Sequence, residues 1–82
     1  MKIYTEVISM ELEEALAQIL KKHRLNCGIS QEELAHQCEI DRTYISMIER
    51  QKRKPTLHIL FRICKALNIT PSVFLSEIED LI

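Results

Sequence analysis

Glycine, proline and aromatic residues are scarce in this 82-residue chain, which has one Gly, two Pro, no Trp, two Tyr and two Phe. Strands favour β-branched and aromatic residues, and their turns use Gly and Pro, so the shortage points away from a sheet. The 46% apolar content can still supply a core of aliphatic helices. No stretch approaches the roughly 20 apolar residues of a membrane span, and residues 1–10 lack the charged flank and apolar run of a secretory signal. A cytoplasmic protein with no membrane partner is expected. Cys27, Cys38 and Cys64 have no Cys or His neighbour at zinc spacing, which argues against a disulfide framework, a metal site or a metal cofactor. In a reducing compartment they read as small hydrophobes. The length suits one compact domain.

A formal net charge of −1 conceals a strong asymmetry. Residues 1–40 carry four Lys/Arg against seven acids, residues 41–65 carry seven against two, and residues 66–82 carry three acids alone. A basic block in an acidic frame is a directed footprint, because a phosphate surface responds to local charge. On charge alone, a solvated helix face explains the block equally well.

Helical periodicity organises the chain from residue 9 onward. Leu12, Leu16, Ile19, Leu20 and Leu25 share one face of a helix expected over residues 10–26, with Ser9 as its cap. Gly28, the single glycine, stands where the chain leaves that helix and suits a left-handed residue. Ser30 and Glu33 form a capping box that opens a short second helix with Leu34, Ala35 and Cys38 turned inward. Asp41 caps a third helix over residues 42–50. Pro55 interrupts, Thr56 caps a fourth helix with an expected stripe of Leu57, Leu60, Phe61, Cys64 and Leu67, and Thr70-Pro71 opens a fifth with Ile69, Phe74 and Leu75 expected at the core. Residues 1–8 read either as an arm or as an extension of the first helix, and residues 9–82 as the domain.

Two short helices joined by a three- to four-residue turn form a helix-turn-helix, whose second helix can be presented to a DNA major groove. Ala35 at the elbow allows close approach, and Ile40, Ile45 and Ile48 wedge it from the other side. Ser30-Gln31-Glu32-Glu33-Leu34-Ala35, followed by Asp41-Arg42-Thr43-Tyr44-Ile45-Ser46 and Ile48-Glu49-Arg50, resembles the lambda repressor/Cro-like (XRE) family over about residues 19–75. Within it, this segment looks most like the controller proteins of bacterial restriction-modification systems. The resemblance implies an all-α, five-helix lambda-repressor-like domain and a transcriptional regulator, not an enzyme, that binds a palindromic operator in double-stranded DNA as a homodimer. RNA polymerase is a candidate partner. One departure is Glu39, in a turn position where the family usually has Gly, which is expected to reshape the turn slightly.

The same resemblance implies roles for individual residues. Gln31 matches a position that clamps a backbone phosphate, and Arg42, Thr43, Tyr44 and Ser46 match the groove-facing start of the third helix. Their chemistry fits independently: Arg42 can donate a fork of hydrogen bonds to guanine, Thr43 can meet a base edge or a thymine methyl, and Ser46 lies one turn on. The alternative for Tyr44 is a cover for the core edge beside Ile45. Arg50, Lys52, Arg53 and Lys54 follow the helix and are expected at phosphates or a minor-groove edge. An acid facing phosphates would be repelled, so Glu49 needs an intramolecular partner; Arg24 matches the family's paired position. His23, His36 and His58 read as surface or boundary residues without metal spacing. Cys64 with His58 lacks the third group of a nucleophilic site.

Apolar residues left over by the core suggest how two copies meet. Ile59 and Ile63 on the fourth helix, with Val73, Ile78, Leu81 and Ile82 on the fifth, are expected to face outward as a dimer interface. The rival reading is an antitoxin-type module that neutralises a partner protein and regulates its own operon. Its wrapping segment could only be residues 1–8, which is short for that task.

Overall fold

The computed structural model describes residues 10–82. Residues 1–8, expected as an arm or an extension of the first helix, and the Ser9 cap lie outside the described residues. Five helices follow one another: α1 (Leu12–Asn26), α2 (Gln31–Cys38), α3 (Arg42–Glu49), α4 (Leu57–Ala66) and α5 (Pro71–Leu81), with no strand among the described residues. None is long and apolar enough to cross a membrane alone. α1 packs on α3 and α5, α2 on α3 and α4, and α4 on α5. The Met10 amide donates to Leu81 O at 3.1 Å, so the start of α1 is tied to the end of α5.

Helix starts follow their local chemistry. Ser30 Oγ accepts from the Glu33 amide while the Glu33 carboxylate accepts from the Ser30 amide, which satisfies two donors that the first turn leaves open. Asp41 accepts from the Thr43 amide and Thr56 from the Ile59 amide, starting α3 and α4. Glu11 stands in the N-cap position of α1.

The helix ends share one device. After each of α1 to α4 comes a left-handed residue: Gly28, Glu39, Gln51 and Asn68, with φ between 57° and 69°. The next amide then reaches back into the last turn: Ile29 to Arg24 O, Ile40 to Ala35 O, Lys52 to Met47 O and Ile69 to Cys64 O. Ile29, Ile40 and Ile69 also pack on the core, so apolar contact holds three of these reversals in place. Glu39 sits at φ 57°, ψ 42°, so the turn keeps its left-handed geometry despite the side chain. That conformation costs a residue with Cβ about 1–2 kcal/mol, offset by the bonds and burial it permits.

The core is mainly aliphatic, built from Leu16, Leu20, Leu34, Ile45, Ile48 and Ile63 around the ring of Phe74, with the thiols Cys38 and Cys64 among them. Burial raises both thiols above their ordinary range, Cys64 to about 11, with the neighbouring Cys38 adding to the shift on Cys64. Neither is a ready nucleophile. Cys27, also expected to behave as a small hydrophobe, is exposed, with its Sγ 3.5 Å from Leu67 O.

Three expectations about facing need correction. On α4 the inward stripe is Leu60, Ile63, Cys64 and Leu67, whereas Leu57 and Phe61 are 67% and 51% exposed. α4 packs on both α2 and α5, and the face meeting both lies about one residue round from the expected one. Ile63 is therefore in the core and not on an outer patch, and Ile59 is half-buried against it. On α5 the buried pair is Phe74 and Ile78, one turn apart, so Ile78 leaves the expected interface while Leu75 joins the surface. On α1, Leu12 and Leu25 are exposed, and beside Leu25 the inward place is taken by Arg24.

Candidate nucleic-acid interface

α3 buries Ile45 and Ile48 and thereby turns its opposite side outward. Arg42, Thr43 and Arg50 are exposed, with Ser46 and Met47 half-exposed on the same side. Residues 42, 43, 46, 47 and 50 recur at the helical period, so they form one continuous stripe. Arg50 Nε lies 3.2 Å from Ser46 Oγ and holds its guanidinium along the helix. Met47 was not marked by the sequence reading, although its place one turn from Thr43 puts it between the polar positions.

Behind this stripe a charged network fixes α3 to its neighbours. Glu49 accepts from Arg24 Nε at 2.6 Å and Nη2 at 3.0 Å, and from Gln31 Nε2 at 3.0 Å, while Arg24 Nη1 donates to Ile29 O at 2.9 Å. The Arg24 and Glu49 side chains are only 10% and 5% exposed, so each charge depends on the other for solvation. The hydrogen bonds that Arg24 donates to Glu49 raise the guanidinium above its ordinary range, against the opposing effect of burial. Glu49 thus faces inward, linking α1, α2 and α3. The Gln31 bond has no local sequence signature, since its partner is 18 residues away.

The segment after α3 is bound in three places. For Tyr44 the sequence left groove and core edge open; its ring is half-buried against the core and its hydroxyl accepts from the Thr56 amide at 3.2 Å. The Arg53 guanidinium carbon lies 4.0 Å from the Tyr44 ring centroid, a cation–π contact that orients Arg53. Lys54 Nζ, expected toward phosphates, is instead 3.3 Å from Glu13 Oε2 on α1. Lys52 is exposed. Arg62, part of the basic block, donates to Cys38 O at 3.3 Å, so that block does not form a single face.

The histidines separate. His36 and His58 are exposed, whereas His23 Nε2 is 2.8 Å from Glu77 Oε1 and its ring centroid 6.0 Å from that of Phe74. No group of three or more His, Cys, Asp or Glu able to hold a metal occurs among the described residues.

Comparison with known proteins follows the same geometry. A helix-turn-helix family model matches residues 20–74. A hypothetical transcription factor of Neisseria meningitidis is 41% identical over 59 residues, covering 72% of this chain and 56% of that protein, so the match spans little more than half of that relative. The control protein C.SmaI of Serratia marcescens is 38% identical over 63 residues, covering 77% of this chain and 75% of its own length. The restriction-modification controller protein C.Esp1396I, in a structure bound to a 19-base-pair DNA duplex, matches with a TM-score of 0.78 and 38% identity, over 87% of this chain and 95% of that one.

Proposed function

The chain belongs to the helix-turn-helix family of lambda repressor/Cro-like transcriptional regulators, and from that premise we propose that it is a restriction-modification controller that binds a palindromic operator as a homodimer. The observation that carries the reading is the outward stripe of α3, polar and cationic, locked from behind by the Arg24–Glu49–Gln31 network. Such a helix can enter a major groove without changing shape. Arg42, Thr43 and Ser46 are the base readers, and Arg50, Lys52 and Arg53 neutralise phosphates. Gln31 keeps its other amide N–H for a phosphate at the start of α2. Tyr44 serves the set by orienting Arg53.

One short helix reads too few base pairs for useful selectivity, so a second copy supplies the other half-site, about one DNA turn or roughly 34 Å away. The pairing surface is the apolar face left outside the core. Phe61 and Pro71 line one groove and Leu12 and Leu75 a second, with Leu57 one turn before Phe61. Ile82 lines the adjoining hollow with Leu12 and Leu75, and keeps a place in the interface. Val73 is exposed but lines none of these grooves and is peripheral to the interface, and half-buried Ile59 and Leu81 support it from the core side. RNA polymerase is the machinery such a complex would recruit or block.

Gel shifts with a palindromic duplex from upstream of the gene test the reading. Arg42→Ala should fold normally and lose about 1–3 kcal/mol of discrimination between operator and mismatched duplex. Lys52→Ala should weaken all duplexes alike and lower the salt slope by about 0.9. Full discrimination in Arg42→Ala, or no binding to any duplex, would overturn the proposal.

A further inference from the structure

The cations that follow α3 are not equally available to a phosphate surface. Lys52 is exposed, whereas Lys54 lies against Glu13, from a segment 41 residues upstream. Glu13 has two reasons to stay ionised. Its own backbone amide, and then Lys54, hold its carboxyl below the ordinary carboxylate range. The two side chains remain 37% and 56% exposed, so the pair stands partly in water and can be opened by a competing anion.

We propose that Glu13 is an internal competitor for the phosphate backbone, holding Lys54 out of the charges that neutralise DNA and so setting affinity and salt sensitivity without touching sequence choice. The proposal rests on the reading of this face as a duplex-binding surface. A lysine counts toward binding only when it displaces counterions from a phosphate. Lys54 on a carboxylate displaces none. If it moved to a phosphate, Glu13 would be left uncompensated beside a polyanion, which opposes the transfer. The cost is independent of base sequence, because neither side chain belongs to the α3 stripe.

Salt-dependent binding of the whole chain to operator and to random duplex, between 50 and 200 mM salt, separates the possibilities. Glu13→Gln should tighten binding to both duplexes by the same factor and steepen the slope of log K against log salt by about 0.9. The gain at 50 mM should then exceed that at 200 mM by about three- to fourfold. In Glu13→Gln combined with Lys54→Ala the slope should return to the wild-type value. An unchanged slope in Glu13→Gln overturns the proposal, as does a steepening that survives in the double variant, which would trace the gain to lost repulsion alone. Failure of the wild type to bind any duplex removes the underlying reading, whereas normal operator binding with an unchanged slope removes only the role of Glu13.

Discussion

α3 and α4 are both short, both start on a side-chain oxygen that accepts an amide of the first turn, and both press aliphatic residues into the same core. They differ in what they leave outside. α3 presents Arg42, Thr43, Ser46 and Arg50, groups that water solvates well, with Met47 half-exposed among them, while α4, beside the polar His58, Arg62 and Lys65, exposes Leu57 and Phe61, which water does not. A polar outer face needs no further protein contact and is free for a polar ligand. An apolar one gains about 25 cal/mol for each Å² that a partner removes from water. Helices equal in their inward packing are thus suited to different partners by their outward chemistry alone.

The sharpest test of that comparison uses two residues of α4 that are two positions apart. Ile63 is 1% exposed and Phe61 is 51% exposed. In Ile63→Asp a carboxylate without a partner would enter the core, and a loss of about 4 kcal/mol or more is expected, enough to unfold a small domain. Phe61→Asp should keep its helical circular dichroism and cooperative melt but sediment as a monomer, with much weaker binding to a palindrome than the wild type. A folded Ile63→Asp protein, or a dimeric Phe61→Asp protein at micromolar concentration, would show that the faces have been assigned the wrong way round.

The contrast also explains what the sequence could and could not convey. In α2 and α3 the apolar residues Leu34, Ala35, Cys38, Ile45 and Ile48 fit one inward face, the remaining positions being mostly polar, so the periodicity has one solution. α4 has Leu57, Ile59, Leu60, Phe61, Ile63, Cys64 and Leu67, apolar in nearly every direction, and periodicity admits two stripes that differ by about one residue of rotation. Only packing against α2 and α5 selects between them. α5 repeats the ambiguity with Val73, Phe74, Leu75 and Ile78. The left-handed residues Gln51 and Asn68 carried no glycine to announce them. Capping signals are local and legible; pairs such as Lys54–Glu13 and Gln31–Glu49 join distant segments and become visible only once the chain is folded.

A smaller loss is expected on the inward side of α3. Glu49→Ala would leave Arg24 buried with its charge uncompensated and Gln31 without its acceptor, for a cost of about 3 kcal/mol. Urea denaturation should show this as a lower midpoint at unchanged slope. Because the outward stripe is untouched, duplex binding by the fraction still folded should keep its sequence preference. A stability equal to that of the wild type would mean that the network orients α3 without stabilising it.

The smallest effect lies where α5 meets α1, at a polar contact on the otherwise apolar α4–α5 half. Glu77 Oε1 takes both His23 Nε2 at 2.8 Å and Lys22 Nζ at 3.2 Å, and the hydrogen bond from His23, with Lys22 as a lesser cause, holds the Glu77 carboxyl below its ordinary range. A carboxyl with a depressed folded pKa binds its proton more readily in the unfolded chain. Its contribution is therefore present above the unfolded value of about 4.3 and disappears as pH falls through the lower folded value. Lys22 and Glu77 are partly exposed, so the pair should contribute less than about 1 kcal/mol. Glu77→Gln should be slightly less stable than the wild type at pH 6, and the two should converge as pH falls below about 4. Melts across that range in low salt would reveal it, and a gap that persists unchanged to pH 2 would show that the loss does not come from the carboxylate's charge.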